Sequence, residues 1–522
     1  MSWAEVVAEA RRRGAWLEEV RVPGPPHLGL LLPNGIDYLL WIFAAAEVGW
    51  AVVGLNPTRR GDALVADVRA TDCQLVIVDA HSAELLAASS DGLGATRVVD
   101  GAEARNHAAT GPDSPPATTV ADGDLLLLLF TSGTTGTPKA VRCTQGRLAS
   151  IAETVVGVYG FKETDVCYCP MPLFHGNALM ALVAPALAIG ATIALPPRFS
   201  ARNFLDDVRA FDATMFTYVG KAIAYLLATE PSADDAHNSL ERAFGTEASA
   251  PDRLRFEQRF GCTLIEGYGS SEGGVNITAT PDTPPGSLGP APPGMDLAVV
   301  DPESGEEMAR ARFDEHGRLV NGTESIGEIV NRSGPGKFEG YYANGVAEQE
   351  RTRGGWYWTG DLAYRDEEGY FWFAGRGGDW LRVDSENLAA TPIEAVLSRY
   401  GGFAHVAVYA VPDVEGGTGD AVMAAVELTN GEDFDVDAFD RWLDEQRDLG
   451  TKWAPAFLRV TTALDETATG KITKVRLKAE AWHCTDPVWY RPSRTMPYGR
   501  VDQAVRSLLD QRLAERTAHT GP

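Results

Sequence analysis

Short apolar runs separated by helix-length stretches set the pattern of this chain. Strand-like runs occur at 28–32, 74–79, 125–130, 165–169, 192–195, 213–219 and 263–268. Most neighbouring runs enclose a segment long enough for a helix, which predicts doubly wound α/β layers. The segment 90–122, rich in Ala, Gly, Thr and Pro, reads as an irregular connection. Near 282–293 the Pro- and Gly-dense stretch DTPPGSLGPAPP turns the chain into a β-rich region that runs to Phe373. Beyond Gly375-Arg376-Gly377-Gly378 come strand candidates at 405–411 and 421–428, a helix beginning near Asp435 and a last strand near Leu458. Adjacent glycines accept large φ/ψ changes, so Gly377 and Gly378 mark a hinge between a large domain, 1–377, and a small one, 378–482, followed by a tail, 483–522.

A chain of 522 residues exceeds what one core supports. Its 46 basic against 72 acidic residues give a net charge of −26, which argues against nucleic acid and anionic membrane surfaces as partners. The six cysteines contain no CxxC pair, and Cys167 and Cys169 on a strand point to one face, so they read as reduced and structural. No apolar run reaches membrane-spanning length and no secretory h-region follows the N-terminal arginines, so a cytoplasmic enzyme is expected.

The chemistry is concentrated in a few segments. The apolar run 125–130 enters Thr131-Ser132-Gly133-Thr134-Thr135-Gly136, closed by Pro138 and Lys139. Glycines open the backbone to a polyphosphate, hydroxyls and N–H groups supply donors, and Lys139 supplies charge, without the Gly-Lys-Ser/Thr triplet of a Walker A loop. Tyr268-Gly269-Ser270-Ser271-Glu272-Gly273-Gly274 closes a strand where ligands of open α/β sheets bind. Within it Gly269-x-Ser271-x-Gly273 also satisfies the nucleophile-elbow pattern of serine hydrolases, a weak three-position match. Thr359-Gly360-Asp361 precedes Gly375-Arg376, and Thr467-Ala-Thr-Gly-Lys471 stands near the end. Alone, a Thr-Gly-Asp is an ordinary turn and Lys471 an ordinary surface lysine.

In this order the segments resemble the signatures of the adenylate-forming superfamily, which includes acyl-CoA synthetases, luciferases and peptide-synthetase adenylation domains. The resemblance runs from about Leu28 to Leu477 and leans toward the very-long-chain and bile-acid acyl-CoA synthetases and the actinobacterial fatty-acid–CoA ligases of steroid side-chain breakdown. It implies a large multi-lobed N-terminal domain with a small mobile α+β C-terminal domain, and as partners ATP, Mg²⁺, CoA and a bulky or long-chain carboxylic acid. It leaves room for a homodimer. The phosphate loop with Thr131, Ser132, Gly133, Thr134, Thr135 and Lys139 would receive ATP, and Tyr268 with Gly269 would flank the adenine, as would Thr246 and Glu247. Ser271 would touch the α-phosphate, Glu272 would hold Mg²⁺, and Asp361 and Arg376 would bind the ribose. Lys471 would bridge carboxylate and α-phosphate. Phe174, His175, Tyr218, Gly220, Lys221 and Gly273 would line the acyl pocket. Two positions depart from the pattern: Ser385 replaces a usual Gly on the pantetheine path, and Gly378 replaces a charged hinge residue. Ser385 and deviations near the pocket keep open a relative with a non-CoA acceptor, such as an ATP-dependent diazotase that activates nitrite for an aromatic amine.

Overall fold

In the computed structural model, the described residues are 1–59, 61–87, 90–131, 138–219, 222–246, 248, 250–280, 282–315, 319–376, 380–383, 386–415, 420–429, 434–446, 449, 453–466 and 472–519. The chain forms two compact units, one of residues 1–279 with 334–357, the other of 280–333 with 358–522.

The first unit holds two six-stranded sheets. In one, strands Arg97–Asp100, Cys73–Val78, His27–Leu31, Ala51–Gly54 and Leu125–Thr131 run parallel in that order, and Lys139–Thr144 returns antiparallel at the edge. The other runs Thr263–Gly269, Arg242–Thr246, Met215–Val219, Val166–Tyr168 and Thr192–Ala194 in parallel, with Asn276–Thr278 antiparallel beside Thr263–Gly269. Strands buried on both faces read as unbroken apolar runs, which is why LLLLLF signals its strand so strongly. One continuous core takes side chains from both sheets, among them Leu28, Val52, Leu127, Met215 and Leu264, together with Trp41 of the helix Ile36–Val48.

One detail differs from the sequence expectation. The segment 90–122 is not irregular throughout: it contains the strand Arg97–Asp100 and the helix Gly101–Ala108, capped by the Asp100 carboxylate on the Ala102 and Glu103 N–H groups. Alanines with one good cap make this helix where an apolar stripe is missing. The helix Ile36–Val48 and the strand Ala51–Gly54 are divided at Gly49, whose φ of 70° is the left-handed turn that ends the helix.

The second unit contains a five-stranded sheet in the order Gly289–Pro290, Tyr370–Arg376, Tyr357–Arg365, Gly327–Asn331, Leu297–Val300. A ribbon of Trp380–Val383 and Glu386–Ala389 follows, then a second five-stranded sheet that opens with the hairpin Phe403–Pro412 and Asp420–Leu428. Alternation along Phe403–Pro412 sends Val406 and Val408 to one core and Ala407, Tyr409 and Val411 to another, so this sheet is covered on both faces. Residues beyond 482 add Val488–Tyr490 and Gly499–Arg500 to its edge and the helix Gln503–His519, whose Leu509 is fully buried.

Candidate active site

Three of the sequence segments converge in the first unit. The strands Leu125–Thr131 and Lys139–Thr144, on either side of the segment expected to take phosphates, pair antiparallel, so Thr131 and Lys139 face each other across the base of a hairpin. Ser271 and Glu272 follow the strand Thr263–Gly269 in a turn closed by the Gly273 N–H on the Ser270 carbonyl at 3.0 Å. Gly176, from the Phe174-His175-Gly176 segment, meets both. A first side-chain carbon there would lie 2.7 Å from Ser271 Oγ and 3.5 Å from Leu129 of the hairpin. A side chain at this junction would push the Ser271 hydroxyl out of place.

Glu272 is the centre of the cluster. It is 5% exposed, and its Oε1 accepts from the Tyr341 hydroxyl at 3.0 Å, with Thr131 Oγ1 at 3.4 Å. Arg351 donates Nε–H to the Tyr341 oxygen at 3.2 Å, so a guanidinium, a phenol and a carboxylate form a chain. Burial, and then the Glu272 charge, raise the Tyr341 hydroxyl above its ordinary range and keep it a donor. Lys139 Nζ sits 5.5 Å from the centre of the Tyr341 ring and 3.8 Å from Glu350. Tyr341 and Arg351 carry no sequence signal of their own. They come from the 334–357 excursion, distant in sequence from the hairpin and the turn they meet.

The remaining first-unit residues have plain positions. Phe174 is buried, its carbonyl packed where a side chain on Gly54 would stand, and its ring lies 4.3 Å from that of His175. The chain after His175 passes into a π-helical turn, Leu179–Val183, a distortion frequent at functional sites. Tyr218 is fully buried and donates its hydroxyl to Glu266 at 2.5 Å. Thr246 ends its strand, and Tyr268 pairs in register with Ile277. Gly269 is exposed, and Gly273, at φ 71°, lies against Arg147.

In the second unit, Asp361 and Arg376 are register partners on adjacent antiparallel strands. The Thr359 hydroxyl accepts from the Asp361 N–H at 3.1 Å, and Gly360, at φ 71°, gives its N–H to Glu328 at 2.6 Å. Ser132, Gly133, Thr134, Thr135, Gly220, Lys221, Glu247, Gly377, Gly378, Ser385 and Lys471 lie outside the described residues.

The donor set around Glu272 suits a hard cation. A buried carboxylate offers Oε2 without a hydrogen bond among the described residues, and a cation bridging phosphates draws its other oxygens from substrate and water. No cluster of three or more ligating side chains occurs among the described residues.

Residues 1–342 match the AMP-binding enzyme family and residues 392–471 its C-terminal domain. The chain is 50% identical over 515 residues to steroid-22-oyl-CoA synthetase of Rhodococcus jostii (strain RHA1), covering 98% of this chain and 92% of that one. It is 45% identical over 490 residues to the medium/long-chain-fatty-acid–CoA ligase FadD17 of Mycobacterium tuberculosis (strain ATCC 25618 / H37Rv), covering 94% and 93%. Among solved structures, ATP-bound MatB from Rhodopseudomonas palustris matches with a TM-score of 0.80 at 26% identity, over 92% of this chain and 93% of that one.

An α/β frame in which Thr131, at the base of a hairpin, reaches the buried Glu272 fits an adenylate-forming protein, and the chain is a member of the AMP-binding enzyme family. Within that family it falls in the actinobacterial branch of steroid and fatty-acid CoA ligases.

Proposed function

We propose that this protein is an AMP-forming acid–CoA ligase that activates a bulky polycyclic carboxylic acid, of the kind a steroid C22 acid exemplifies. The observation that carries the reading is 50% identity across 98% of the chain to a steroid-22-oyl-CoA synthetase. In the first step the carboxylate attacks the α-phosphate of ATP, its oxygen forms the new P–O bond, and pyrophosphate leaves. In the second, the CoA thiolate attacks the acyl carbon and AMP departs with the bonding pair. A free carboxylate is a poor acyl donor, and the mixed anhydride with AMP is the activated form.

The chain's residues serve these steps by position and charge. Thr131, Ser132, Gly133, Thr134, Thr135 and Lys139 receive the phosphates, and Ser271 donates to the α-phosphate. Glu272 would hold Mg²⁺, which supplies positive charge against the triphosphate. Asp361 and Arg376 take the ribose hydroxyls, and Lys471 stabilises charge shared by the attacking carboxylate and the α-phosphate. Tyr268, Thr246 and Glu247 flank the base, while Phe174, His175, Tyr218, Gly220, Lys221 and Gly273 border the acid. The Gly377-Gly378 pair is the hinge on which the small domain turns between steps.

A panel of acids with ATP and CoA tests the substrate class. A steroid C22 acid should give a kcat/KM at least about tenfold above those of straight-chain C8 to C18 acids, the difference that ~1.4 kcal/mol of pocket fit produces. A straight-chain acid at the top of the panel would contradict the polycyclic reading.

A further inference from the structure

Behind the turn that presents Ser271 and Glu272 stands a buried guanidinium with no ion-pair partner among the described residues. Arg147, on the first turn of the helix Gln145–Tyr159, is 5% exposed and makes no ion pair among the described residues. Its hydrogen bonds go to backbone carbonyls: Nη1 donates to Arg142 at 2.5 Å, and Nη2 donates to Ser271 at 2.6 Å and to Glu272 at 2.8 Å. Two successive carbonyls aimed at one nitrogen require a kinked turn, and Gly273, at φ 71°, provides it. A side chain at Gly273 would stand 2.8 Å from Arg147 Nη2. From the far side, the Lys337 N–H donates to the Gly273 carbonyl at 3.2 Å. Arg147 is itself seated by the Thr144 hydroxyl, which accepts its N–H at 3.2 Å and gives its own proton to Glu339 at 2.7 Å.

We propose that Arg147 is a positioning residue of the adenylation step: by fixing the Ser271 and Glu272 carbonyls it fixes the planes from which both side chains project toward the nucleotide and its metal. Peptide groups are planar, so a carbonyl held at 2.6 to 2.8 Å leaves its neighbours little rotational freedom. A lone buried charge is costly in an otherwise apolar setting. Here three carbonyls offset part of that cost, and the guanidinium lies directly behind the turn that carries Ser271 and Glu272. The inference rests on the adenylation reading and adds to it a residue outside the motifs.

The test uses Arg147→Met and Arg147→Lys in the full chain. ATP affinity is measured calorimetrically with Mg²⁺ and with EDTA, beside the thermal midpoint. In wild type, Mg²⁺ should tighten ATP binding. In Arg147→Met that enhancement should fall on the order of tenfold, as for loss of a charge-assisted hydrogen bond, and Arg147→Lys should recover part of it. An unchanged Mg²⁺ enhancement in Arg147→Met overturns the proposal, whatever happens to the thermal midpoint. If Arg147→Met does not fold, Arg147→Lys decides on the same ratio, since an ammonium cannot reach all three carbonyls, and a wild-type ratio there also overturns it. Wild-type protein whose ATP binding ignores Mg²⁺ would instead contradict the adenylation reading itself.

Discussion

Tyr218 reaches Glu266 across a glycine. The two residues lie on strands that flank Arg242–Thr246, in register with Gly245 between them, and the Tyr218 hydroxyl donates to Glu266 at 2.5 Å. A first side-chain carbon on Gly245 would stand 2.2 Å from the Tyr218 carbonyl oxygen and 2.7 Å from its ring. Burial, and then the Glu266 charge, hold the Tyr218 phenol well above its ordinary range, so it remains a donor.

Removing that hydroxyl should therefore cost stability without changing shape. Tyr218→Phe is expected to lose about 1–3 kcal/mol, because the partly buried Glu266 forfeits a charge-assisted donor. Gly245→Ala should lose as much or more by driving the ring off the strand. Urea unfolding measures both, and a Tyr218→Phe/Glu266→Gln double-mutant cycle should show strong non-additivity. Additive losses would mean that the two residues act independently.

Glu272 supplies the second prediction. Glu272→Gln keeps the side-chain shape and the Tyr341 contact but loses the charge. The Mg²⁺ concentration for half-maximal ATP turnover should rise roughly tenfold, since a hard cation prefers the carboxylate. Tyr341→Phe should raise it less, because it removes one donor to Glu272 and leaves the ligand in place. An unchanged Mg²⁺ titration in Glu272→Gln removes Glu272 from the metal site.

Several segments of the candidate site stand out in the sequence itself. Within the first unit, the LLLLLF run with the Thr/Ser/Gly stretch after it and the Tyr-Gly-Ser-Ser-Glu segment each carry local composition that a one-dimensional reading detects. The hairpin that carries Lys139 does not stand out, because KAVRCT is short and mixed and its partner strand supplies the pattern. Tyr341, Arg351 and Arg147 escaped for a different reason. Their roles come from contacts made across 69, 10 and 124 positions or more of chain, and a lone Tyr or Arg has no spacing to betray it. The helix Gly101–Ala108 escaped because its cap, not an apolar stripe, defines it.

Lys471 separates the two half-reactions. Lys471→Ala should slow acyl-adenylate formation by ~10²–10³, the usual loss for a transition-state cation, and should spare thioester formation from supplied acyl-adenylate. Single-turnover assays of each half measure this. Equal losses in both would contradict a lysine specific to the first step.

His27 gives the fold a pH dependence. Its Nδ1 donates to the Thr71 carbonyl at 2.6 Å in a buried position. Burial lowers its pKa below 6.5, outweighing the Thr71 bond and the Asp72 charge. The unfolded chain then binds the proton more readily, so stability is fully present above pH 6.5 and is lost as pH falls from there toward the folded pKa. Urea midpoints between pH 7.5 and about 5 should fall less steeply in His27→Gln than in wild type. Parallel slopes would exclude His27 as a contributor.

The central claim is that one carboxylic acid is activated by ATP and handed to CoA, and the acceptor decides it. The most direct measurement follows AMP release with a steroid C22 acid and ATP, with and without CoA, beside a parallel arm with nitrite and an aromatic amine. The account predicts slow AMP release without CoA, acceleration of about tenfold or more with it, and one acyl-CoA per AMP. AMP release indifferent to CoA but driven by nitrite would contradict the ligase assignment and favour a diazotase-like enzyme.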